Sequence, residues 1–553
     1  MINGIARFLK REYLYLFIIV FIAGFLRFWN LTGVPPSLSH DEVAIGYNAY
    51  SILLTGKDEY GETFPLLFRS FDDYKLPGMV YISIPSIAIF GLNEMGVRFP
   101  SALLGTLAVF VFYFFAKELV KNKIKSLIIT FFFAISIWHI NFSRQSFESN
   151  GAVFFLILGT YFLLRFKNNP KNFFFAIIFY SISLYFYYSI RLVIPFLLLS
   201  FILVYRKEIV RYLNTILIGV VVGLIIVFPL IPSLFSSGGF ARINIVSVVN
   251  DPRYVDRKEE FVNKIVQNDT LINRIIYNRR VALLITIGEN YLKNLDPKHI
   301  FFIGTTSAGL LYPVEAPFFF LGIYSLSKLK TRNKWIVLFW FLSAPLAGAL
   351  TVDQPNPLRT LPNAPMFSIF SGLGFVSALY FLKSKFAKAL LITGTAAPFL
   401  YLFFYLFWFN YFIYNPQRNA LSFGDGYKQM VQYVEKNEHK YKALYISGQY
   451  WRPYIFTLFW KKYDPLVYQK DVSIWHFGKY YFSAAEWDKE GIYFGPFNKY
   501  DVDFYSLAKT KIPQETLFIL AKPEFDKYQT KFNKVDVIDG KFAKGVFVSA
   551  VLK

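Results

Sequence analysis

The chain has 553 residues, of which 55% are hydrophobic and 20% aromatic, and its formal net charge is +23. With a mean hydropathy of +0.38, this composition is typical of a polytopic membrane protein and argues against a soluble one. The lysines and arginines are scattered between apolar runs, which argues against a nucleic-acid-binding protein, and the absence of cysteine excludes disulfides, thiolate metal sites and a thiol nucleophile.

Apolar runs suited to crossing a bilayer recur along the chain. A span needs about 20 apolar residues, or fewer where flanking side chains reach the interface. The first run follows Arg7, Lys10 and Arg11 and has no small-residue cleavage site before Arg27, so we expect a retained span. We predict about eleven spans and a cytoplasmic N-terminus. The predicted spans are 13–29, 98–117, 126–141, 150–165, 172–190, 191–205, 212–232, 312–327, 335–351, 363–382 and 388–411.

A further apolar run, 77–92, is ambiguous, and the positive-inside rule decides its placement. If this run does not cross, five basic loops fall on the same side as the N-terminus: 117–125, 165–171, 206–211, 328–334 and 383–388. If it crosses, all five move to the opposite side. We therefore predict that 77–92, which contains Pro77, Gly78 and Pro85, is a juxtamembrane or re-entrant segment.

This topology places two long loops, 30–97 and 233–311, and the tail on the outer side. The second loop is predicted to contain one or two amphipathic helices, because apolar residues are spaced among its charged ones. These apolar residues are Phe261, Ile265, Leu271, Ile275 and Leu283. The tail differs in composition, with a helix predicted at 426–439 and strands at 442–447, 491–495, 516–521 and 545–552. We predict a transmembrane catalytic module (1–411) and an extracytoplasmic soluble α/β domain (412–553).

The first outer loop concentrates charged side chains in an otherwise apolar sequence. Its opening motif, SLSHDEVAIGYNAY, contains the carboxylate pair Asp41 and Glu42, and further acids follow: Asp58, Glu59, Asp72 and Asp73. The pair is explained by two solvated acids at a helix start, where carboxylates interact favourably with the helix dipole. It is explained equally by two catalytic acids that the following amphipathic segment holds at the membrane surface. The sequence leaves both explanations open.

Cations on the predicted outer side indicate an anion site. Lys75, in DYKLPG, is suited to donate up to three hydrogen bonds to the phosphate of a prenyl-phosphate head group. Arg98, Arg144 and Arg359 also lie on this side, where the positive-inside rule makes basic residues less expected. Interfacial anchoring of a long side chain explains each cation singly. Their joint occurrence favours an anion site.

The predicted spans are almost free of charge, and His139, near an outer end, is the main exception. A proton-coupled transporter normally carries ionisable residues at mid-membrane, where its ion path runs. This distribution favours chemistry at the outer surface. A membrane transporter or lipid flippase is the first alternative, and a non-catalytic membrane scaffold is the second.

Five segments occur together in the order HDEVAIGYNAY, DEYGE, DYKLPG, GLNEMGVRFPSALLG and SRQSFES. This series resembles the GT-C membrane glycosyltransferases, in particular the dolichyl-phosphate-mannose–protein mannosyltransferases and the bacterial aminoarabinose transferases of lipid A. The motifs lie in the first 165 residues, the multi-span layout extends the resemblance to residue 411, and the tail matches no motif of the family.

The resemblance implies a polytopic α-helical enzyme that transfers a sugar from a polyprenyl-phosphate donor to a hydroxyl acceptor on a protein, glycolipid or polysaccharide. It implies that Asp41 is the catalytic base, with Glu42 beside it. The donor phosphate is expected to contact Lys75 and one or more of Arg98, Arg144 and Arg359. Tyr74 and Glu148 are the expected substrate-binding residues. Lys75 is followed by Leu-Pro where Pro-Pro is usual, for which we expect a small geometric effect.

In-line displacement at the anomeric carbon is expected to invert its configuration. No nucleotide site is needed because the phosphate travels with the lipid, and the sequence has no P-loop or Rossmann fingerprint. A divalent metal on Asp41 and Glu42 is compatible with carboxylate chemistry, but the resemblance favours a site without metal or other cofactor. We expect a multi-pass plasma-membrane protein whose active site and tail are extracytoplasmic.

Overall fold

The computed structural model describes residues 2–71, 73–234, 246–305, 308–484, 493–494 and 515–553. The chain is mostly helical and forms two compact units. The first unit comprises Met1–Trp29, Leu66–Met79 and Ser101–Trp408, and the second comprises Asn30–Pro65, Val80–Pro100 and Phe409–Lys553. The division into domains at residue 411 stays a prediction.

The N-terminal half contains mostly helices, because a helix satisfies its own backbone hydrogen bonds in an apolar surrounding. Up to residue 120 the elements are α1 (Ile2–Phe28), α2 (His40–Thr55), β1 (Phe68–Ser70), β2 (Asp73–Lys75), α3 (Gly78–Phe90) and α4 (Glu94–Val120). There follow α5 (Lys123–Ala134), α6 (Ile137–Ser143), α7 (Glu148–Leu164), α8 (Asn172–Ser183), α9 (Ile190–Arg211), α10 (Leu213–Val227) and α11 (Ile231–Leu234).

The middle of the chain contains the helices α12 (Pro252–Gln267), α13 (Leu271–Ile276), α14 (Arg279–Asn294), α15 (Ala316–Lys328), α16 (Lys334–Ala349), α17 (Ala364–Phe381) and α18 (Lys385–Leu402). Helix α18 continues as a π-helix over Phe403–Tyr414. Gly322 on α15 and Gly374 on α17 let these two helices touch, because a Cβ on either glycine would overlap a backbone carbonyl of the other helix. Close approach at small residues is the usual way membrane helices associate.

Helices suited to crossing a membrane are observed, but the number eleven is not confirmed. Among the described residues, four helical runs are long and apolar enough to cross a bilayer: Glu94–Val120, Leu213–Ser233, Leu361–Phe381 and Lys385–Arg418. A fifth results if α5 and α6, which are bent by 56° at their junction, form one span. Other predicted spans coincide with shorter apolar helices, including α7, α8 and α16.

The second predicted outer loop contains the amphipathic helices expected from its sequence. Phe261 on α12 packs in a small buried cluster with Tyr254 and Ala282. Leu271 and Ile275, on α13, are instead exposed. Residues 235–245 and 306–307 lie outside the described residues.

The tail, in the second unit, contains a mixed sheet. Its elements are α19 (Asn415–Arg418), α20 (Tyr427–Asn437), β3 (Ala443–Ile446), α21 (Pro453–Trp460), α22 (Pro465–Tyr468), β4 (His476–Phe477), β5 (Tyr480–Ala484), β6 (Tyr493–Phe494), β7 (Thr516–Ala521), α23 (Lys522–Tyr528), β8 (Phe532–Ile538) and β9 (Phe547–Leu552). The strand order is β4-β5-β3-β7-β9-β8, with β6 beside β5. β3 is parallel to β5 and β7, whereas β9 is antiparallel to β7 and β8.

The predicted helix and three of the four predicted strands of the tail are observed as α20, β3, β7 and β9. Of the fourth, 491–495, only the two residues of β6 lie within the described residues. Strand β8 was not predicted because its sequence, FNKVDVI, carries charges and most of it is exposed at the edge of the sheet.

Candidate active-site residues

Helix α2 begins with a capping box, which fixes the positions of Asp41 and Glu42. Ser39 is the N-cap, and its hydroxyl accepts a hydrogen bond from the backbone N–H of Glu42 at 3.4 Å. The Glu42 carboxylate in turn accepts from the Ser39 backbone N–H at 3.0 Å. The sequence Ser-His-Asp-Glu is the S-x-x-E pattern that forms this box. Asp41 therefore lies in the first turn of α2, with 30% of its side chain exposed.

Arg98 is fully buried in the second unit and holds the loop that precedes α2. Its Nε donates to Glu42 Oε1 at 2.8 Å and its Nη2 donates to Glu42 Oε2 at 3.2 Å. The other guanidinium hydrogen bonds are donated to backbone carbonyls: Leu31 (3.1 Å), Pro35 (3.0 Å) and Ser37. A guanidinium has five N–H donors, so these five bonds account for all of them.

The two neighbouring carboxylates thus have different surroundings. Glu42 is wholly buried in an ion pair with Arg98 and in the capping box, whereas Asp41 is partly open to solvent. In this arrangement Glu42 and Arg98 shape the loop before α2. A contact of Arg98 with a donor phosphate, or of Glu42 with an acceptor, requires these bonds to open and stays a prediction.

We expect Glu42→Gln to destabilise the protein far more than Asp41→Asn. Neutralising Glu42 leaves Arg98 as a buried charge without its carboxylate, which typically costs about 3–5 kcal/mol. Asp41 is partly exposed, and its pair with His40 is of a type worth about 0–1 kcal/mol. Thermal unfolding of the two purified variants measures this difference. Equal transition temperatures would contradict the structural role of Glu42.

The surroundings of Asp41 include two aromatic rings that the sequence did not indicate as functional. His40 Nε2 lies 3.6 Å from Asp41 Oδ1. The His40 ring stacks on Trp451 with ring centres 4.7 Å apart, and the Trp451 indole donates to the Leu421 carbonyl at 3.1 Å. The aromatic stretch QYWRPY in the tail, which contains Trp451, was the one sequence feature that could have indicated this contact. Nothing in the sequence shows that this stretch lies next to the first loop.

Lys75 lies in the first unit, at the end of the hairpin formed by β1 and β2. The strands are antiparallel, and Lys75 is paired with Phe68 across the hairpin. Its ammonium is 3.6 Å from Glu148 Oε1, and each side chain is only about a tenth exposed. Two residues predicted separately, one for donor phosphate and one for substrate, are therefore neighbours. Tyr74, the other predicted substrate residue, accepts a hydrogen bond from the Tyr188 hydroxyl at its backbone carbonyl (3.1 Å).

Arg144, also in the first unit, is fully buried and caps the end of helix α1. It donates to the backbone carbonyls of Leu26 (2.9 Å), Arg27 (3.0 Å) and Trp29 (2.8 Å). The last carbonyls of a helix have no partner within the helix and require donors from elsewhere. Arg144 thus has a structural task, and its contact with a donor phosphate stays a prediction.

Arg359 contacts its own loop in the first unit. It donates to the Thr351 hydroxyl at 2.8 Å and to the Val352 carbonyl at 2.6 Å, and its side chain is partly exposed. A partly exposed guanidinium is accessible to an anion in a way that the buried Arg144 is not. Its contact with a donor phosphate also stays a prediction.

The acids of DEYGE are built into the loop after α2. Asp58 Oδ1 accepts from the backbone N–H groups of Tyr60 and Glu62, both at 2.9 Å. Burial raises the pKa of Asp58 to about 6, although these hydrogen bonds oppose the shift. Glu59 is fully buried and accepts from the Asn48 side chain at 3.2 Å. Asp72 lies outside the described residues. Within the described ranges, no group of three or more His, Asp or Glu has the arrangement of a metal site.

The candidate residues form two sets, one in each compact unit. Asp41, Glu42 and Arg98 belong to the second unit, while the first contains Tyr74, Lys75, Arg144, Glu148 and Arg359. Residues 75–232 match the family model described as dolichyl-phosphate-mannose-protein mannosyltransferase. The resemblance to the membrane glycosyltransferases is confirmed. The matched segment includes Lys75, Arg98, Arg144 and Glu148, whereas Asp41, Glu42 and Arg359 lie outside it.

Solved structures match the chain over nearly its whole length. The structure of ArnT from Cupriavidus metallidurans bound to undecaprenyl phosphate has a TM-score of 0.55 and 12% identity, covering 98% of this chain and 97% of that chain. Its apo state has a TM-score of 0.54 and 11% identity, with coverages of 99% and 98%. At such identities the likeness concerns the fold.

The oligosaccharyltransferase of Archaeoglobus fulgidus in complex with zinc and sulfate has a TM-score of 0.46 and 13% identity, covering 80% of this chain and 61% of that chain. Among the curated proteins, none matches this chain.

Proposed function

We propose that the protein is a membrane glycosyltransferase that moves a sugar from a polyprenyl-phosphate donor to a hydroxyl acceptor. The observation that carries this proposal is the full-length fold likeness to ArnT, whose structure contains undecaprenyl phosphate. The match of residues 75–232 to a mannosyltransferase family model supports the same function. Both favour a glycosyltransferase over the transporter or flippase considered from the sequence. Fold alone does not define activity, so the chemistry has to come from the site residues.

We assign the general base to Asp41. Its partly exposed carboxylate at the start of α2 is accessible to an acceptor hydroxyl, whereas Glu42 is buried against Arg98. Asp41 takes the proton of the hydroxyl as the oxygen attacks the anomeric carbon of the donor. Attack from the face opposite the departing phosphate inverts that carbon. In this proposal Glu42 positions Asp41 and does not itself contact the acceptor.

We assign the stabilisation of the leaving phosphate to Lys75. The carbon–oxygen bond to the phosphate breaks as the new bond forms, and negative charge grows on the departing prenyl phosphate. A positioned cation stabilises such charge in the transition state. Glu148, 3.6 Å away, holds the Lys75 ammonium in an ion pair that is longer than a hydrogen bond. Arg359 is the second candidate for the phosphate, because its side chain is partly exposed.

The direct test is incubation of the purified protein with a panel of polyprenyl-phosphate sugars, followed by mass analysis of the products. We expect one donor to be consumed with release of polyprenyl phosphate and formation of a glycosylated acceptor. Movement of donor lipid across a vesicle membrane without any consumption would instead establish the flippase alternative. If the donor is neither consumed nor moved across the membrane, the result favours the scaffold alternative.

The proposed topology has about eleven spans, with helix α3 as a juxtamembrane or re-entrant segment and the site on the outer side. We expect cysteines replacing Glu62 and Lys442 to react with an impermeant external thiol reagent in intact cells. Cysteines replacing Lys121 and Lys330 are expected not to react. These four side chains are exposed, so burial does not protect them, and no native cysteine interferes. External labelling at position 121 or 330 would overturn the proposed topology.

A further inference from the structure

A cavity of about 510 Å³ lies in the first unit between helices α9 and α16. Its lining has two chemically distinct parts. One part is apolar and includes Leu203, Val204 and Phe339. The other is a basic rim formed by Arg206, Lys207 and Arg332. Together the two parts form an amphiphilic cavity, and neither belongs to the candidate active-site residues.

The basic rim brings together two of the basic loops seen in the sequence, 206–211 and 328–334. The Tyr205 hydroxyl donates a hydrogen bond to the Asn333 side chain, which fixes one loop to the other. Arg332 Nη1 lies 3.5 Å from Glu208 Oε1, which adds an ion pair between them. Tyr205 departs from helical backbone angles (φ −114°, ψ 21°), so α9 bends just before the basic residues.

The charges of the rim are unbalanced. Three cations, Arg206, Lys207 and Arg332, face one carboxylate, Glu208, which gives a net charge of +2. Arg206 and Lys207 are exposed, and in the described part of the chain neither forms an ion pair. The positive-inside rule accounts for basic residues in each loop. It does not account for their convergence on one cavity with an apolar wall.

We propose that this cavity binds an anionic phospholipid, with the phosphate at the basic rim and an acyl chain against the apolar wall. Guanidinium groups bind phosphate oxygens through paired hydrogen bonds, and Lys207 adds a point charge. Trp335 also lines the cavity, and tryptophan favours the head-group level of a membrane. Basic pockets between membrane helices are a general form of head-group site. A free phosphate ion has no apolar part that could pack against the apolar wall, whereas a phospholipid has an acyl chain.

The test is native mass spectrometry of the full-length protein titrated with dioleoylphosphatidylglycerol. The variant combines Arg206→Gln, Lys207→Gln and Arg332→Gln. The matched control combines Lys383→Gln, Lys385→Gln and Lys388→Gln, which removes the same charge from another basic loop on the predicted same side. We expect the cavity variant to bind the first, most tightly held phosphatidylglycerol molecule about a hundredfold more weakly, since each of the three basic residues near a lipid surface contributes about 1 kcal/mol. The control is expected to change binding less than about twofold.

Two further ligands distinguish the sources of phosphate. Dioleoylphosphatidylcholine is expected to bind both variants like wild type, and inorganic phosphate is expected not to displace phosphatidylglycerol. Equal losses in the two triple variants, or displacement by inorganic phosphate, would overturn the proposal. If the triple variant does not fold, Arg206→Gln alone, at an exposed position, is expected to weaken binding about fivefold. The readout does not involve sugar transfer, so it stands apart from the proposed enzymatic function.

Discussion

Replacing Lys75 with alanine is expected to lower turnover of the polyprenyl-phosphate donor by about 10²–10³-fold, the usual cost of removing one group that stabilises transition-state charge. The ammonium is the cation we assign to the departing phosphate, and it is held by Glu148 at 3.6 Å. We expect Lys75→Arg to retain part of the activity, because a phosphate responds to a point charge as well as to a guanidinium fork. Steady-state turnover and donor affinity at limiting donor measure both effects.

A second paired lysine provides the control for Lys75. Lys117 forms an ion pair with the nearly buried Glu12 at 2.6 Å, also within the first unit. Lys117→Ala therefore removes an ion pair of the same unit without touching the proposed site, and we expect near-normal turnover. If both alanine variants lose activity equally, the loss reflects damage to the fold. If Lys75→Ala turns over limiting donor like wild type, Lys75 has no role at the phosphate.

Much of the helical layout could be predicted because a membrane span is encoded locally. The run 150–165 corresponds closely to α7, Glu148–Leu164. The run 126–141 was predicted as one span, but the structure has two helices bent by 56°. Hydropathy measures how apolar a segment is and does not report a change in the direction of its helix axis. The second helix begins at the N-cap Ser136, whose side chain accepts a hydrogen bond from the His139 backbone N–H. In the sequence, the only sign of this cap is a single serine in an apolar run.

The roles of individual charges were less predictable, because they depend on residues far apart in sequence. Asp41 and Glu42 are adjacent and chemically alike, and the sequence offered both as catalytic groups. Their difference comes from Arg98, 56 residues beyond Glu42, which buries one carboxylate and not the other. The S-x-x-E pattern was a local sign that Glu42 closes a capping box. The burial of Arg144 against α1 had no comparable local signal, since its partners lie more than a hundred residues earlier.

Asp41→Asn is expected to lower turnover by at least about a hundredfold, because general-base catalysis typically contributes about 10²–10⁴-fold. Asparagine keeps the shape and polarity of the side chain but accepts a proton very poorly. The variant is expected to fold and insert normally, since Asp41 is a partly exposed residue in the first turn of α2. Donor affinity is expected to be unchanged, because Lys75 is intact. Turnover and donor affinity are to be measured on the same purified sample.

The matched control is Asp464→Asn, at a second aspartate that begins a helix in the same unit. Asp464 caps α22, accepting a hydrogen bond from the Leu466 backbone N–H at 2.8 Å. Asparagine caps a helix about as well as aspartate, so Asp464→Asn is expected to leave turnover and stability unchanged. If Asp41 acts only through the helix dipole, the two variants will behave alike. A large loss of turnover confined to Asp41→Asn, with donor still bound, identifies Asp41 as the base. Near-normal turnover would move that assignment to Glu148, because using Glu42 would require breaking its pair with Arg98.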